Sequence, residues 1–275
     1  MNQKIQHLKL RNSELSDEIY QPQIIDLDIS HTCTRKCSFC PQSKLDMSGF
    51  MNIEYVKTLA QQLIDFSFQN IICMAGHGEP TCHPDFIEIL NLLNSTKAKH
   101  IEVISNGDNL INSKVDIRDI LRFENVRLTL SAYSEQHYDI MYGLYSDYDK
   151  VLIKKMYTKD DLFWSNRGIF ETENPHIDNY CYLVFYKLEL GMNGNYNLCC
   201  QDWSGDMSTD ISILDLSYID AWYSLYKEER DKQLEYGSRV NSVCKRCNVN
   251  GTLIGETLFN KWKSNYETSR INTTD

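Results

Sequence analysis

Along the first 150 residues, apolar positions alternate with polar ones, switch to a helical period, and switch back several times. Residues 24–30 (IIDLDIS) alternate apolar and acidic side chains, which predicts a strand. Tyr55, Val56, Leu59, Ala60, Leu63 and Ile64 form one stripe, which predicts a helix over 55–66. The apolar run at 70–75 predicts a second strand, and 84–93, with proline near its start, a second helix. Strands are predicted at 100–105 and 126–131, and helices at 111–122 and 135–142. Such alternation is the signature of βαβ units and of a parallel sheet or barrel. The polar, glycine-containing segments fall after the strands, where parallel α/β folds place their chemistry.

The pattern changes after about residue 150. Short strands are predicted at 151–156 and 162–165. Residues 183–190 and 195–200 read as strands flanking Gly191-Met192-Asn193-Gly194, a hairpin signal. Tyr218, Ile219, Trp222, Leu225 and Tyr226 share one helical face, and a last helix is predicted over 253–266. A domain boundary is placed near residue 170, giving units 1–169 and 170–275. The N-terminal segment, 1–19, is polar and lacks the apolar stretch of an export signal.

Composition narrows the functional classes. With 275 residues, 42% of them hydrophobic, the chain can build one large core with a small second unit. A net charge of −10 disfavours nucleic acid as a partner. No apolar run is long enough to span a membrane. These features predict a cytoplasmic protein with neither nucleic acid nor membrane as partner. Ten cysteines are many for such a chain, and in a reducing compartment clustered cysteines bind metal or do redox chemistry. Cys73, in an apolar strand, reads as core packing, and Cys82 has no assigned task. Seventeen tyrosines, with Trp203, Trp222 and Trp262, read mainly as core packing. Of the histidines, His77 is the best placed to titrate in a site.

Cys33, Cys37 and Cys40 make a Cys-x3-Cys-x2-Cys loop directly after the first strand. Thiolates suit iron–sulfur clusters and zinc. Three ligands on a four-iron cube leave one iron open to a small molecule. Zinc would want a fourth ligand, which His31 could supply. Cys181, Cys199, Cys244 and Cys247 form a second group, sufficient for a further cluster or for a zinc knuckle.

Cys33-Thr34-Arg35-Lys36-Cys37-Ser38-Phe39-Cys40 resembles the signature loop of the radical S-adenosylmethionine (SAM) superfamily. Gly76-His77-Gly78-Glu79-Pro80 resembles its Gly-Gly-Glu motif with His77 inserted, and Ser105-Asn106-Gly107 its Thr-Asn-Gly turn. The resemblance implies a partial (β/α) TIM-like barrel in which Cys33, Cys37 and Cys40 hold a [4Fe-4S] cluster. It implies SAM contacts from Phe39, Gly76, Gly78, Glu79, Ser105, Asn106 and Ser131. The implied chemistry is reductive cleavage of SAM to a 5′-deoxyadenosyl radical, with an external one-electron donor such as flavodoxin or ferredoxin.

The second cysteine group resembles the shortened auxiliary-cluster module of the same superfamily, the twitch domain. That implies one auxiliary [4Fe-4S] cluster on Cys181, Cys199, Cys244 and Cys247. Cys200 is the competitor of Cys199, which is favoured by its spacing from Gly194. Ser165-Asn166-Arg167-Gly168 resembles a segment preceding this module in dehydrogenases of the branch. Arg167 is therefore assigned to orienting or polarising the substrate, a surface ion pair being the alternative. The implied reaction is oxidation of a small polar substrate such as a sugar, cyclitol or related alcohol. Two alternatives stay open: a maturase of ribosomal peptides, and a zinc-stabilised binding protein.

Overall fold

Alternation along the strands sorts the two faces of one sheet. A computed structural model describes residues 3–158, 162, 165–167, 169–171, 180–237 and 241–271. Its eight strands run in the order β5-β4-β3-β2-β1-β6-β7-β8. Strands β1 (Ile24–Leu27), β2 (Ile71–Met74), β3 (His100–Ser105), β4 (Val126–Ala132) and β5 (Val151–Lys155) are parallel, and β6 (Lys187–Leu190) joins parallel to β1. The antiparallel strands β7 (Asn195–Asn197) and β8 (Ser208–Ser212) extend that edge. The parallel-rich α/β architecture anticipated from the sequence is present. The sheet also runs on past residue 170, because β6 pairs directly with β1.

One face of the sheet is apolar and packs under helices. Ile25, Leu27, Ile72, Met74, Ile101, Val103, Leu128, Leu130, Leu188 and Leu190 belong to the main core with residues of α2 (Ile53–Asp65) and α3 (Phe86–Asn94). Asn52 caps α2 by accepting from the Glu54 amide, and Val56, Leu59 and Leu63 point inward. Each such burial contributes roughly 1.5–3 kcal/mol. The opposite face mixes polar residues with a second, smaller apolar cluster that includes Ile24, Ile71, Tyr186, Ile254 and Leu258. Asp26 pairs in register with Glu189 on one side and Cys73 on the other, and Cys73 with Glu102. Ser131 stands opposite Lys154. Asp26, Cys73, Ser131, Lys154 and Glu189 line one cavity.

An unanticipated helix, α1 (Gln3–Glu14), covers part of this face. Arg11 reaches in to an ion pair with Glu102 and donates to Cys73 Sγ at 3.1 Å, while His7 meets Glu102 at 3.1 Å. The inner face of the helix is mixed: Arg11 and His7 meet Glu102, while Leu8 packs against the small apolar cluster that includes Ile24 and Ile71.

Several elements differ from expectation for local reasons. The helix predicted at 111–122 is two: α4 (Asp108–Ile111) ends where Ser113 adopts φ 55°, and α5 (Ile117–Leu121) is capped by Asp116. Strand β1 stops early, since the chain beyond it turns to pair Ser30 with Phe50. Residues 183–190 open as a helical turn, α7 (Leu183–Tyr186), after α6 (Glu135–Tyr145); a short apolar run does not distinguish the two states. The strand predicted at 195–200 ends at Asn197. The face at 218–226 breaks at Ser224 into α8 (Tyr218–Tyr223) and α9 (Leu225–Tyr236). The last helices are α10 (Ser242–Arg246) and α11 (Glu256–Ile271). Residues 163 and 164 of the predicted 162–165 strand lie outside the described residues, as does Gly168.

The C-terminal helices are pinned by Arg230. It is fully buried, donates to the Val184 carbonyl at 3.1 Å, and lies 4.2 and 3.9 Å from the ring centres of Trp222 and Trp262. A cation between two indoles gains cation–π stabilisation when desolvated.

Candidate functional site

The cysteine loop leaves β1 and is bolted to the turn after β3. Arg35 donates to Asp108 Oδ2 at 2.7 Å and to Oδ1 at 2.5 Å. Asn106 Nδ2 donates to Thr34 Oγ1 at 2.9 Å and approaches Cys33 Sγ at 3.6 Å. Cys33, Cys37 and Cys40 are free thiols, each partly exposed. Burial pushes the Cys33 thiol up to about 11. It also raises Cys37, against the pull of Arg35 and Arg167. Thiols in such a setting hold their protons until a metal displaces them. Three unpaired thiols on one loop, all lining the cavity, are a donor set that fits an iron–sulfur cluster with one open position.

The turn after β2 is organised by Glu79, which is 2% exposed. Its Oε1 accepts from Ser105 Oγ at 2.7 Å and Thr81 Oγ1 at 2.6 Å, and its Oε2 from the Asn106 amide at 2.7 Å. The carboxylate thus joins the β2 and β3 turns, and Oε2 keeps capacity for another donor. Burial raises its pKa against these bonds. Both glycines of the turn are close approaches of backbone to β1 and its loop. A Cβ on Gly76 would lie 2.2 Å from Asp28 Oδ1, and one on Gly78 would lie 2.2 Å from the Ser30 carbonyl oxygen. The Gly78 obstacle is backbone and cannot swing aside. Gly78→Ala is therefore expected to cost about 1–3 kcal/mol, read as a lower denaturation midpoint, with poorer iron retention.

His77, the residue between those glycines, is buried and paired with Asp28, which also accepts from His31 Nε2 at 2.9 Å. Burial opposes charge on both groups. Their mutual attraction prevails: it raises His77, and with His31 brings Asp28 down to about 2. The insertion thus adds a tie between this turn and the end of β1.

Beyond these turns lies a cavity of about 300 Å³, lined by the cysteine loop at Cys33, Cys37 and Cys40 and by the mixed sheet face. That volume is at the small end for a small-molecule site. Phe39, Gly76, Gly78, Glu79, Ser105, Asn106, Ser131 and Arg167 all line it. The Phe39 ring packs against Tyr133 with centres 5.3 Å apart. Arg167, at φ 51°, places its guanidinium 6.0 Å from the Phe39 ring and 5.9 Å from that of Trp203. Trp203 in turn meets His77 edge-on at 4.2 Å.

The model of the radical SAM superfamily matches residues 27–153, the span that carries the cysteine loop and every turn just described. The chain carries a radical SAM domain. That family implies a [4Fe-4S] cluster and SAM. No curated protein gives a significant sequence match. Among solved structures, BtrN in complex with AdoMet and 2-DOIA is 22% identical, with TM-score 0.70 over 86% of this chain and 96% of that one. BtrN in an open conformation is 19% identical, with TM-score 0.62 over 82% and 92%. SuiB of Streptococcus suis bound to S-adenosylmethionine is 16% identical, with TM-score 0.46 over 83% and 72%. The likeness to BtrN is one of fold. Among the described residues no helix is long and apolar enough to cross a membrane.

Outside the matched span, the second cysteine group gathers beside the radical SAM domain. Burial pushes Cys181 up to about 12 and Cys199 well above its usual range, and each also feels other thiols of the group. Cys181 feels Cys244, Cys247 and Cys200; Cys199 feels Cys200, Cys181 and Cys244. Amides of Gln201 and Val249 approach Cys199 Sγ and Cys247 Sγ at 3.4 and 3.3 Å. A Cβ on Gly251 would lie 2.3 Å from Cys181 Sγ, so the chain wraps tightly here. Cys200 stands between this group and the cavity: its Sγ clusters with carboxylate oxygens of Asp26 and Glu189.

Sequence reasoning missed Asp26, Lys187, Glu189, Tyr133 and Cys200 as cavity residues. A signal for three of them existed. Residues 24–30 and 187–190 both alternate apolar with charged residues, and period-two alternation sends every charge to one face. Cys73 is buried as expected, yet it lines the cavity beside Arg11.

Proposed function

We propose that the chain is a radical SAM dehydrogenase of a small polar substrate such as a sugar, cyclitol or related alcohol. The observation that carries this reading is one cavity walled by the first thiol group and reaching the segment of the second through Cys200 and through Gly251, which abuts Cys181. Cys33, Cys37 and Cys40 line it at one side, and Cys200, adjacent to Cys199, lines it at another. The motif order and the spacing of the second group also resemble the butirosin-pathway dehydrogenase that oxidises 2-deoxy-scyllo-inosamine.

Cys33, Cys37 and Cys40 would hold a [4Fe-4S] cluster which, with SAM and an electron from flavodoxin or ferredoxin, supplies a 5′-deoxyadenosyl radical. Glu79 Oε2 and Asn106 receive the amino-acid end of SAM, with Ser105 and the backbone at Gly76 and Gly78 shaping the turn. Phe39, backed by Tyr133, packs on the adenine, and Ser131 offers a hydroxyl. Cys181, Cys199, Cys244 and Cys247 would hold an auxiliary [4Fe-4S] cluster that serves as electron acceptor. Cys199 is preferred to Cys200 because its spacing from Gly194 resembles the family pattern, while the Cys200 thiol clusters with Asp26 and Glu189. In this reading residues 170–275 are a twitch-type unit following a barrel unit of 1–169, in a cytoplasmic enzyme. Arg167, held between Phe39 and Trp203, points a cation at the substrate and orients its hydroxyl.

Anaerobic turnover tests the proposal, using 2-deoxy-scyllo-inosamine and simple hexoses deuterated at each carbinol carbon. Deuterium in 5′-deoxyadenosine together with a ketone product is expected. Deuterium transfer from every probe without any oxidised product would sink the dehydrogenase reading, and a colourless, zinc-loaded protein would sink the iron–sulfur one.

A further inference from the structure

One acid in the cavity has no part in holding a cofactor. Glu189, on β6, is 5% exposed and lines the cavity. Its Oε1 accepts from Asn197 Nδ2 at 3.3 Å, while Oε2 is buried without a hydrogen-bond partner among the described residues. A buried carboxylate oxygen left unpaired is destabilising, so its retention points to a group that arrives with the ligand. The position is held firmly: the Tyr226 hydroxyl, from α9, bonds to the Glu189 amide at 2.8 Å.

The surroundings of the side chain come from several elements. Asp26 and Asp28 of β1, His77 of the β2 turn, Lys187 of its own strand and Cys200 beyond β7 all face it. Burial raises the carboxyl to about 7; His77 and Lys187 pull it back, and Asp26 and Asp28 push it further. Asp26 has an unpartnered oxygen too, but its other oxygen is engaged by Lys187. Glu189 is the acid whose free oxygen meets no competing ion pair.

We infer that Glu189 Oε2 takes the hydroxyl proton of the substrate during oxidation. The inference rests on the dehydrogenase reading above. The substrate carbon first loses a hydrogen atom to the adenosyl radical. The remaining carbon radical carries a hydroxyl. Its O–H bond then breaks, and the proton passes to Oε2. The electron leaves to the iron–sulfur group proposed at Cys181, Cys199, Cys244 and Cys247, and the carbon–oxygen single bond becomes a carbonyl. A hydroxyl-bearing radical surrenders its electron far more readily once deprotonated, which is why a base is needed at this position. A carboxyl that titrates near working pH can accept the proton and release it to solvent before the next cycle. Burial gives the transfer a low-dielectric setting in which one hydrogen bond has a large effect.

The test uses the holoenzyme and Glu189→Gln, which keeps the acceptor for Asn197 and removes the titrating oxygen. Infrared difference spectra between about pH 6 and about pH 8 bracket a neutral titration. A carboxyl carbonyl band should vanish as pH rises, with a midpoint at about 7, and be absent from the variant. A band that fails to titrate, or that survives in Glu189→Gln, overturns the role of Glu189 whatever the substrate. On 2-deoxy-scyllo-inosamine the variant should still move deuterium into 5′-deoxyadenosine. Its ketone yield should fall by roughly 10²–10⁴-fold, and wild-type ketone formation should rise with pH through the infrared midpoint. Equal ketone yields with one shared pH profile would overturn the role of Glu189 alone. Deuterium transfer by the wild type with no oxidised product would instead overturn the dehydrogenase reading.

Discussion

Replacing Cys33, Cys37 and Cys40 together by alanine is expected to remove SAM cleavage entirely. Iron per chain should fall from about eight to about four, the content of one four-iron cluster. Formation of 5′-deoxyadenosine should drop to background, a loss on the order of 10⁶-fold or more. The fold should survive. The three cysteines sit on a loop outside the main apolar core, and that loop is tied down by Arg35–Asp108 and Thr34–Asn106 contacts which the variant keeps. Iron analysis, 5′-deoxyadenosine release under anaerobic reduction, and circular dichroism form the decisive set. A folded variant that still cleaves SAM would exclude this loop as the cluster site.

Cys181→Ala, Cys199→Ala and Cys247→Ala should separate radical formation from oxidation. Each variant is expected to lose about four of about eight irons and to go on transferring deuterium from substrate into 5′-deoxyadenosine. Ketone product should fall to background. Cys200→Ala should keep all the iron, because its thiol turns toward Asp26 and Glu189. The contrast between neighbouring positions 199 and 200 guards against a trivial outcome, since general damage to this segment would affect both. Full ketone formation by Cys181→Ala or Cys247→Ala would remove the second group from the electron path. Loss of iron in Cys200→Ala with retention in Cys199→Ala would exchange their roles.

The sequence carried the first site well because its parts are local signals. The cysteine loop is eight consecutive residues, and each turn motif lies directly after a strand whose alternation is plain. The strand at 100–105 was placed to the residue, and the helices starting near 55, 84 and 135 within a few residues. The errors lie where local information runs out. Ser113 at φ 55° and the Asp116 cap split a predicted helix without disturbing its apolar period. The helix of residues 3–14 has no wide apolar stripe to announce it, because Leu8 is joined on its inner side by Arg11, whose partners are Glu102 and Cys73.

By itself, the sequence determined the parallel α/β class and the radical SAM loop with its two turns. Each depends on spacing within a short window or on strand period. The tertiary structure alone decided what those parts surround. Parallel pairing of β6 beside β1 brings Lys187 and Glu189 next to Asp26, from distant parts of the chain. The same pairing brings the acids Asp26 and Glu189 to Cys200, the neighbour of Cys199. Helix α1 adds Arg11 to the cavity wall. Contacts between residues more than 150 positions apart follow from which strand edges meet, and no local period encodes that choice. A buried carboxylate oxygen without a partner therefore became visible only once the sheet was assembled around it.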